Sequence, residues 1–244
     1  MSDDKLTALQ RRILRVLAEL NPPWTLTGGG ALAGIYLGHR TTRDLDLFWR
    51  DRPALGRSAT EAQALLRADG LEAAVLRTAP SFGELRVFDG DDVCIVDLVA
   101  EPFPSVEAPR HAPIEGVMIA VDSMHEILVG KLTALLGRTE LRDLVDVQAL
   151  LSAGTDLTAA LRDAPKKDAG FSAMTLAWVL APAQEPEDSG PRLIIETSDG
   201  TLVDRSMSGV RRVTVENGQV VVVGKDGKIK RIPLASVVRM TISQ

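Results

Sequence analysis

The hydrophobic positions of the first 180 residues alternate between helical and strand-like spacing. Leu6, Leu9, Ile13, Leu14 and Leu17 lie on one helical stripe, which Pro22 ends. The same criteria predict further helices at 31–37, 59–68, 123–138, 141–151, 157–161 and 174–180, and strands at 24–27, 45–49, 71–78, 84–88 and 93–99. The pattern predicts an α/β (α+β) domain whose second half is helical.

The pattern changes near residue 190. β-branched runs at 193–196, 210–215, 219–223, 228–232 and 237–241 are separated by Asp-Gly or Asn-Gly pairs, which are typical of hairpin turns. About five short strands predict a small all-β, barrel-like domain of the SH3 or Sm type. The proline-rich, acidic segment 184–191 is predicted to be a linker. We therefore expect a first domain at 1–183 (a core to about 122, then a helical part from 123) and a second at 192–244.

Composition narrows the class of protein. The 244 residues are 45% hydrophobic and 25% charged, which excludes a disordered or collagen-like chain. With no long apolar run, a polar N-terminus and one cysteine (Cys94, expected in the core), we expect a cytoplasmic protein. The net charge is −5, yet residues 191–244 carry nine Lys and Arg against five Asp and Glu. This asymmetry suggests two modules with different partners.

The candidate chemistry lies in residues 26–48. A short strand leads into Gly28-Gly29-Gly30, which open a helix, and such a turn lets backbone N–H groups approach a phosphate. Asp44 and Asp46, two residues apart on a strand, share one face. Paired carboxylates suit Mg²⁺ (or Mn²⁺) that also holds nucleotide phosphates. The turn and the carboxylates together predict a nucleotide site.

Other charged residues extend this prediction. Asp97 lies within an otherwise apolar strand, where it either pairs with an arginine or joins Asp44 and Asp46 at the metal; we favour the metal. Arg40 and Arg43 either neutralise phosphate charge or serve as counter-ions to the two aspartates.

The pattern Gly-Gly-(x)-Ala-Leu followed by Arg-(x)₃-Asp-Leu-Asp-Leu-Phe resembles nucleotidyltransferases of the polymerase-β superfold. It is most similar to the AbiEii/AbiGii toxin family of abortive-infection and toxin–antitoxin systems. A second stretch, 131–138 followed by 141–146, is similar to that family's later motifs, Lys-(x)₂-Ala-(x)₃-Arg and Arg-Asp-(x)₂-Asp. The resemblance covers about residues 5–180 and implies a polymerase-β-like core with a mixed sheet.

The resemblance also implies roles. The glycine turn would cradle the triphosphate, Asp44 and Asp46 would hold Mg²⁺, and Lys131 would contact the nucleotide phosphates. Asp143 would be the last catalytic acid, positioning Lys131 or the acceptor hydroxyl. The implied reaction transfers NMP from an NTP to an acceptor, expected to be RNA such as tRNA, in a toxin restrained by a separate antitoxin. One departure is Gly30, where the family commonly has Thr or Ser; Thr27 is a candidate replacement for that hydroxyl.

The remaining residues are given simpler roles. His39 is expected to be solvated or capping. Arg142 either buttresses an aspartate or binds substrate, and we favour the first. Asp146 is either a ligand or a residue that supports the site or pairs helices, and we favour the second. The segment 165–168 is expected to be a solvated loop.

Alternative functions remain open at the level of sequence. The domain could be a catalytically weak or inactive nucleotide-binding scaffold, with the C-terminal barrel as an interaction module; Gly30 favours this. A metal-dependent glycosyltransferase would explain neither the glycine turn nor the 131–146 block. A small-molecule adenylyltransferase of the antibiotic-resistance kind would share the fold. RNA binding by the basic tail is weakened because no aromatic residue follows Trp178.

Overall fold

The computed structural model describes residues 5–138, 140–180 and 191–243. The chain forms two compact units, residues 1–180 and 181–244. Most of the predicted linker, 184–190, lies outside the described residues. No helix among the described residues is long and apolar enough to cross a membrane.

A seven-stranded mixed sheet forms the centre of the first unit, in the order β3-β4-β5-β2-β1-β7-β6. β2 runs parallel to β5, and β1 runs parallel to β7, whereas the other neighbours are antiparallel. The strands are β1 Thr25–Thr27, β2 Asp44–Arg50, β3 Glu72–Ala79, β4 Phe82–Asp89, β5 Asp92–Glu101, β6 Arg110–Ile114 and β7 Val117–Val121. β6 and β7 were not predicted from the sequence.

Seven α-helices are described in this unit: α1 Ala8–Leu17, α2 Gly28–Ala31, α3 Ser58–Ala68, α4 Met124–Gly137, α5 Leu141–Ser152, α6 Leu157–Asp163 and α7 Ala173–Leu180. α2 begins at the first glycine of the turn rather than at Ala31, and a π-helical turn over Leu32–Tyr36 continues it. A capping box between Thr7 and Gln10 fixes the start of α1. The helical second half is confirmed.

Burial alternates along β2 and determines which side chains face the site. Leu45, Leu47 and Trp49 are buried in the core, since alternate side chains of a strand point to opposite faces. The opposite face of β2 therefore presents Asp44, Asp46, Phe48 and Arg50 in a row. The paired-carboxylate geometry expected from the sequence follows directly from this alternation.

The second unit contains two three-stranded antiparallel sheets. Their orders are β10-β11-β12 and β13-β8-β9. The strands are β8 Arg192–Thr197, β9 Leu202–Ser206, β10 Val210–Glu216, β11 Gln219–Gly224, β12 Ile229–Pro233 and β13 Val237–Ser243. β9 is a sixth strand that the hydrophobic pattern missed, because only Val203 of its five residues is buried. Both sheets contribute to one core, through residues such as Leu193, Ile195, Val220 and Val222. The all-β character of this unit is confirmed.

Candidate active site

Gly28 lies against the carboxylate of Asp46. Its backbone adopts a positive φ of 59°, and a Cβ added there would lie 2.2 Å from Asp46 Oδ2. A side chain at this position is incompatible both with the backbone conformation and with the nearby oxygen. Gly29 is also close to a charged group, since a Cβ added there would lie 2.9 Å from Arg40 Nη2. The glycine turn therefore lets the backbone approach the charged face of β2.

Gly30 faces the core. A Cβ at this position would lie 3.1 Å from Leu45 Cδ2 and 3.3 Å from Leu26 Cδ1. The side-chain direction at residue 30 thus leads between two buried leucines. This geometry argues against the expectation that Gly30 removes a hydroxyl contact to phosphate or metal.

The three candidate metal ligands lie on adjacent strands. β2 and β5 are in parallel register, with Asp46 opposite Asp97. Burial, followed by the negative charge of Asp46, raises the pKa of Asp97 to about 6. Burial likewise raises the pKa of Asp46, against the opposing charge of Lys131. Both carboxylates are thus held in an environment that disfavours uncompensated negative charge.

The donor chemistry fits a divalent cation. Oδ1 of Asp97 is buried and has no hydrogen-bond partner among the described residues, and carboxylate oxygens are ligands that Mg²⁺ prefers. Within the described part of the chain, however, no three His, Cys, Asp or Glu side chains form a ready-made cation cluster. The assignment of Asp44, Asp46 and Asp97 to a metal therefore stays a prediction.

Lys131 of α4 lies between two buried carboxylates of α5. Its Nζ is 2.7 Å from Asp143 Oδ1 and 2.7 Å from Asp146 Oδ2. Arg138 also reaches Asp143, with Nε 3.2 Å from Oδ2. Of the two roles considered for Asp143, the structure contains the contact needed to position Lys131.

Asp146 of α5 binds two residues of the segment that follows the π-helical turn. Arg40 donates to both of its oxygens, at 2.7 and 2.8 Å, and His39 Nε2 lies 2.8 Å from Oδ1. Burial would raise the pKa of Asp146, but the hydrogen bonds from Arg40 and Lys131 outweigh burial and lower it. Arg40 is therefore paired with Asp146, not with Asp44 or Asp46 as one alternative held. His39 is paired with Asp146, contrary to the expectation that it is a solvated or capping residue.

The other arginines lie at the edge of the carboxylate face. Arg142 Nη1 is 3.3 Å from Asp44 Oδ2, which is the buttressing contact expected for it. Arg142 and Arg138 are about half-exposed, and Arg43 is exposed. α4 ends at Gly137 and α5 begins at Leu141, so Arg138 and Arg142 do not lie on one continuous helix.

A cavity of about 540 Å³ opens beside this site. Its lining includes Gly28, Asp46 and Lys131, together with Thr27, Phe48 and Phe103. Thr27 lies beside Asp122. Burial raises the pKa of Asp122, although the charge of Arg50 and the hydrogen bond with Thr27 act in the opposite direction. The cavity thus places the glycine turn, one paired carboxylate and the lysine around one space.

An ion-pair cluster that sequence reasoning missed lines the same cavity. Arg50 pairs with Glu101 and Asp122, and Lys167 lies 3.0 Å from Glu101 and 2.6 Å from Glu126. The Lys167 side chain is only 5% exposed, so the prediction of a solvated loop at 165–168 is wrong for this residue. The period-two pattern of β2 could have identified Arg50, which shares a face with Asp44 and Asp46.

Some solved structures are similar to this chain. Among solved structures, the chain is similar to JHP933 from Helicobacter pylori, at 22% identity and a TM-score of 0.47, over 64% of this chain and 70% of that one. It is also similar to an antigenic nucleotidyltransferase-like protein from Paracoccidioides brasiliensis, at 17% identity and a TM-score of 0.44, over 75% and 99% of the two chains. No curated protein matches the sequence.

The family model described as "Nucleotidyl transferase AbiEii toxin, Type IV TA system" matches residues 12–191. This match spans most of the chain and includes the glycine turn, the aspartate pair and the Lys131–Asp146 block. The chain therefore belongs to the AbiEii nucleotidyltransferase toxin family of type IV toxin–antitoxin systems.

Proposed function

We propose that the first unit transfers a nucleoside monophosphate from an NTP to an acceptor in a Mg²⁺-dependent reaction, and that the acceptor is RNA, such as a tRNA. The observation that carries this proposal is the carboxylate face of β2 beside the glycine turn. Gly28 approaches Asp46 so closely that only glycine fits, while Lys131 lines the same cavity. A phosphate chain lying along the turn would therefore reach both the carboxylates and the lysine.

Asp44 and Asp46 are the residues that would hold the metal, and Asp97 would complete the oxygen ligand set. When bound, Mg²⁺ supplies charge neutralisation to the phosphate oxygens of an in-line displacement. Burial raises the pKa of both Asp46 and Asp97, and a bound cation would offset the negative charge that burial disfavours. The carboxylate pair thus acts by binding and orientation.

Lys131 would donate to the nucleotide phosphates. An ammonium group has three N–H donors, and Asp143 and Asp146 accept two of them at 2.7 Å each. The two carboxylates thereby fix the Lys131 side chain in one position, and its third N–H would donate to a nucleotide phosphate. Asp143 and Asp146 act in this account as positioning residues.

The half-exposed and exposed arginines support an RNA acceptor. The first unit is acidic overall, so attraction of a polyanion depends on a local basic rim. Arg138 and Arg142 lie beside Asp143 and Asp44, and Arg43 immediately precedes Asp44 in the chain. These cations would contact acceptor phosphates next to the reacting centre. Family membership supports a role as a toxin whose activity an antitoxin would counter.

The test incubates the full chain with each α-³²P-labelled NTP, Mg²⁺ and total RNA, beside Asp46→Ala. We expect wild type alone to transfer label to an RNA band, which would identify the acceptor. Label on protein or on a small molecule would retain nucleotidyl transfer and reject the RNA acceptor. Tight Mg²⁺-dependent NTP binding without transfer to any acceptor would reject the proposal in favour of a nucleotide-binding scaffold.

A further inference from the structure

The second unit contains a groove between two sheet edges. β10 lies at the edge of one three-stranded sheet and β13 at the edge of the other. Residues of both strands line a cavity of about 650 Å³, among them Val210, Arg212, Met240 and Ile242. Within residues 191–243, each of these strands pairs with a neighbouring strand on one side only. An edge of this kind presents N–H and C=O groups to a further strand.

The apolar core continues into this groove without cover. Met240 is the cross-strand partner of Ile195, and Ile242 is the partner of Leu193. Side chains of such partners point to the same face of an antiparallel sheet. Leu193 and Ile195 are buried, yet Met240 is 48% and Ile242 is 59% exposed. The core-facing side chains of β13 are therefore left partly exposed, and another strand would cover them.

The segment between the two units does not suit this position. Residues 181–190 contain alanine and proline as their only apolar residues, so they offer no large side chain for an apolar row. An extended segment of another molecule with large apolar side chains would suit it better.

Charge indicates what that molecule is. Arg211 and Arg212 line the groove, and residues 191–244 carry nine Lys and Arg against five Asp and Glu. A second copy would bring the same arginines face to face, whereas an acidic segment would be complementary. Single-stranded RNA would also be acidic, but the second unit has no aromatic side chain on which a base could stack.

We propose that the groove between β10 and β13 binds an extended acidic peptide segment of a partner protein, added as a strand. Backbone hydrogen bonds to a free edge would supply affinity. Alternate apolar side chains would cover Met240 and Ile242, and acidic side chains between them would meet Arg211 and Arg212. This inference concerns the second unit and is independent of nucleotidyl transfer.

The test uses the full chain and a capped nine-residue peptide that alternates Val and Glu, with a Val–Lys peptide as its counterpart. Binding is measured by calorimetry, and its location by amide hydrogen exchange. Ile242→Glu and Arg212→Glu change the groove. Ile229→Glu is the matched control, because Ile229 is 56% exposed on β12 and does not line the groove. Circular dichroism checks that each variant is folded.

We expect the Val–Glu peptide to bind wild type and Ile229→Glu alike and to slow exchange in 210–216 and 237–243. Binding should weaken at least tenfold for either groove variant, and also when the Val–Lys peptide replaces the Val–Glu peptide. The proposal is overturned if the Val–Glu peptide does not bind, or if Ile242→Glu binds it as wild type does. It is equally overturned if the groove variants abolish self-association or oligouridine binding instead.

Discussion

Two glycines with similar backbone conformations differ in the space available for an added Cβ. Gly28 and Gly56 have nearly the same φ, 59° and 61°, but an added Cβ would meet Asp46 Oδ2 at 2.2 Å in the first and nothing within 4 Å in the second. The two positions therefore separate backbone strain from contact with the carboxylate. Substituting each glycine with alanine therefore tests whether the turn contains glycine at position 28 because of its backbone conformation or because of its contact with Asp46.

We predict that Gly28→Ala lowers nucleotidyl transfer by roughly a hundredfold or more, because the added Cβ would displace the Asp46 carboxylate from the position in which it would hold the metal. Gly56→Ala should leave transfer unchanged. Gly56→Ala should lower the free energy of unfolding by about 1 kcal/mol, since alanine disfavours a positive φ. Gly28→Ala should lower it further, because the added Cβ also meets the Asp46 carboxylate. Transfer assays and urea denaturation of the two variants measure these effects; equal activity of the two would contradict the role given to Gly28.

A second prediction concerns the effect of a threonine side chain at Gly30. Gly30→Thr should lower the free energy of unfolding by about 1–3 kcal/mol, because its side chain would be forced between Leu26 and Leu45. It should not increase transfer, since no hydroxyl at this position would face Asp46. Gly137→Thr is the control, because a Cβ there meets nothing within 4 Å. A gain in activity for Gly30→Thr would show that the missing hydroxyl limits catalysis.

Contacts between elements explain what the sequence could and could not predict. Alternation along β2 predicted the shared face of Asp44 and Asp46. The edge strand β6 was missed because it has one fully buried residue and contains Pro113, which weakens its strand pattern. Ion pairs were missed for a different reason: Arg40 and Asp146 are 106 positions apart, and Arg50 and Asp122 are 72 apart. Local patterns do not indicate which distant charges will meet.

The adjacent lysines of the turn after α6 allow a test of buried ion pairing. Lys167→Met should lower the free energy of unfolding by about 3 kcal/mol, because the buried Glu126 loses its nearest cation at 2.6 Å and keeps only Arg50, at 3.6 Å. Lys166→Met should cost less than about 1 kcal/mol, since Lys166 is 63% exposed in its pair with Asp163. Chemical denaturation at pH 7 compares the two. Equal small losses would mean that the buried cluster contributes little to stability.

At the scale of the whole molecule, the two cores are separate. The buried cluster of the first unit draws its residues from Leu6 to Phe171 and Leu176, and that of the second from Leu193 to Ile232. A hydrophobic core of its own is what lets a domain fold alone. The composition shift near residue 190 predicted two modules, whereas the free edges of β10 and β13 depend on pairing that composition does not encode.

We predict that residues 1–183 alone fold cooperatively and transfer NMP with the specific activity of the full chain. Thermal unfolding by circular dichroism and the label-transfer assay check this. Loss of cooperative unfolding in the shortened chain would refute the proposed domain boundary. Retained folding with lost transfer would instead assign the second unit a part in the reaction.

The carboxylate face of β2 is the proposed site of nucleotidyl transfer. The most direct measurement compares initial rates of label transfer for wild type, Asp46→Asn and Asp91→Asn, at saturating Mg²⁺ and the preferred NTP. Asp91 is exposed in the turn between β4 and β5, so its variant controls for loss of one carboxylate elsewhere. We predict a fall of roughly a hundredfold or more for Asp46→Asn and none for Asp91→Asn. Undiminished transfer by a folded Asp46→Asn would contradict the account.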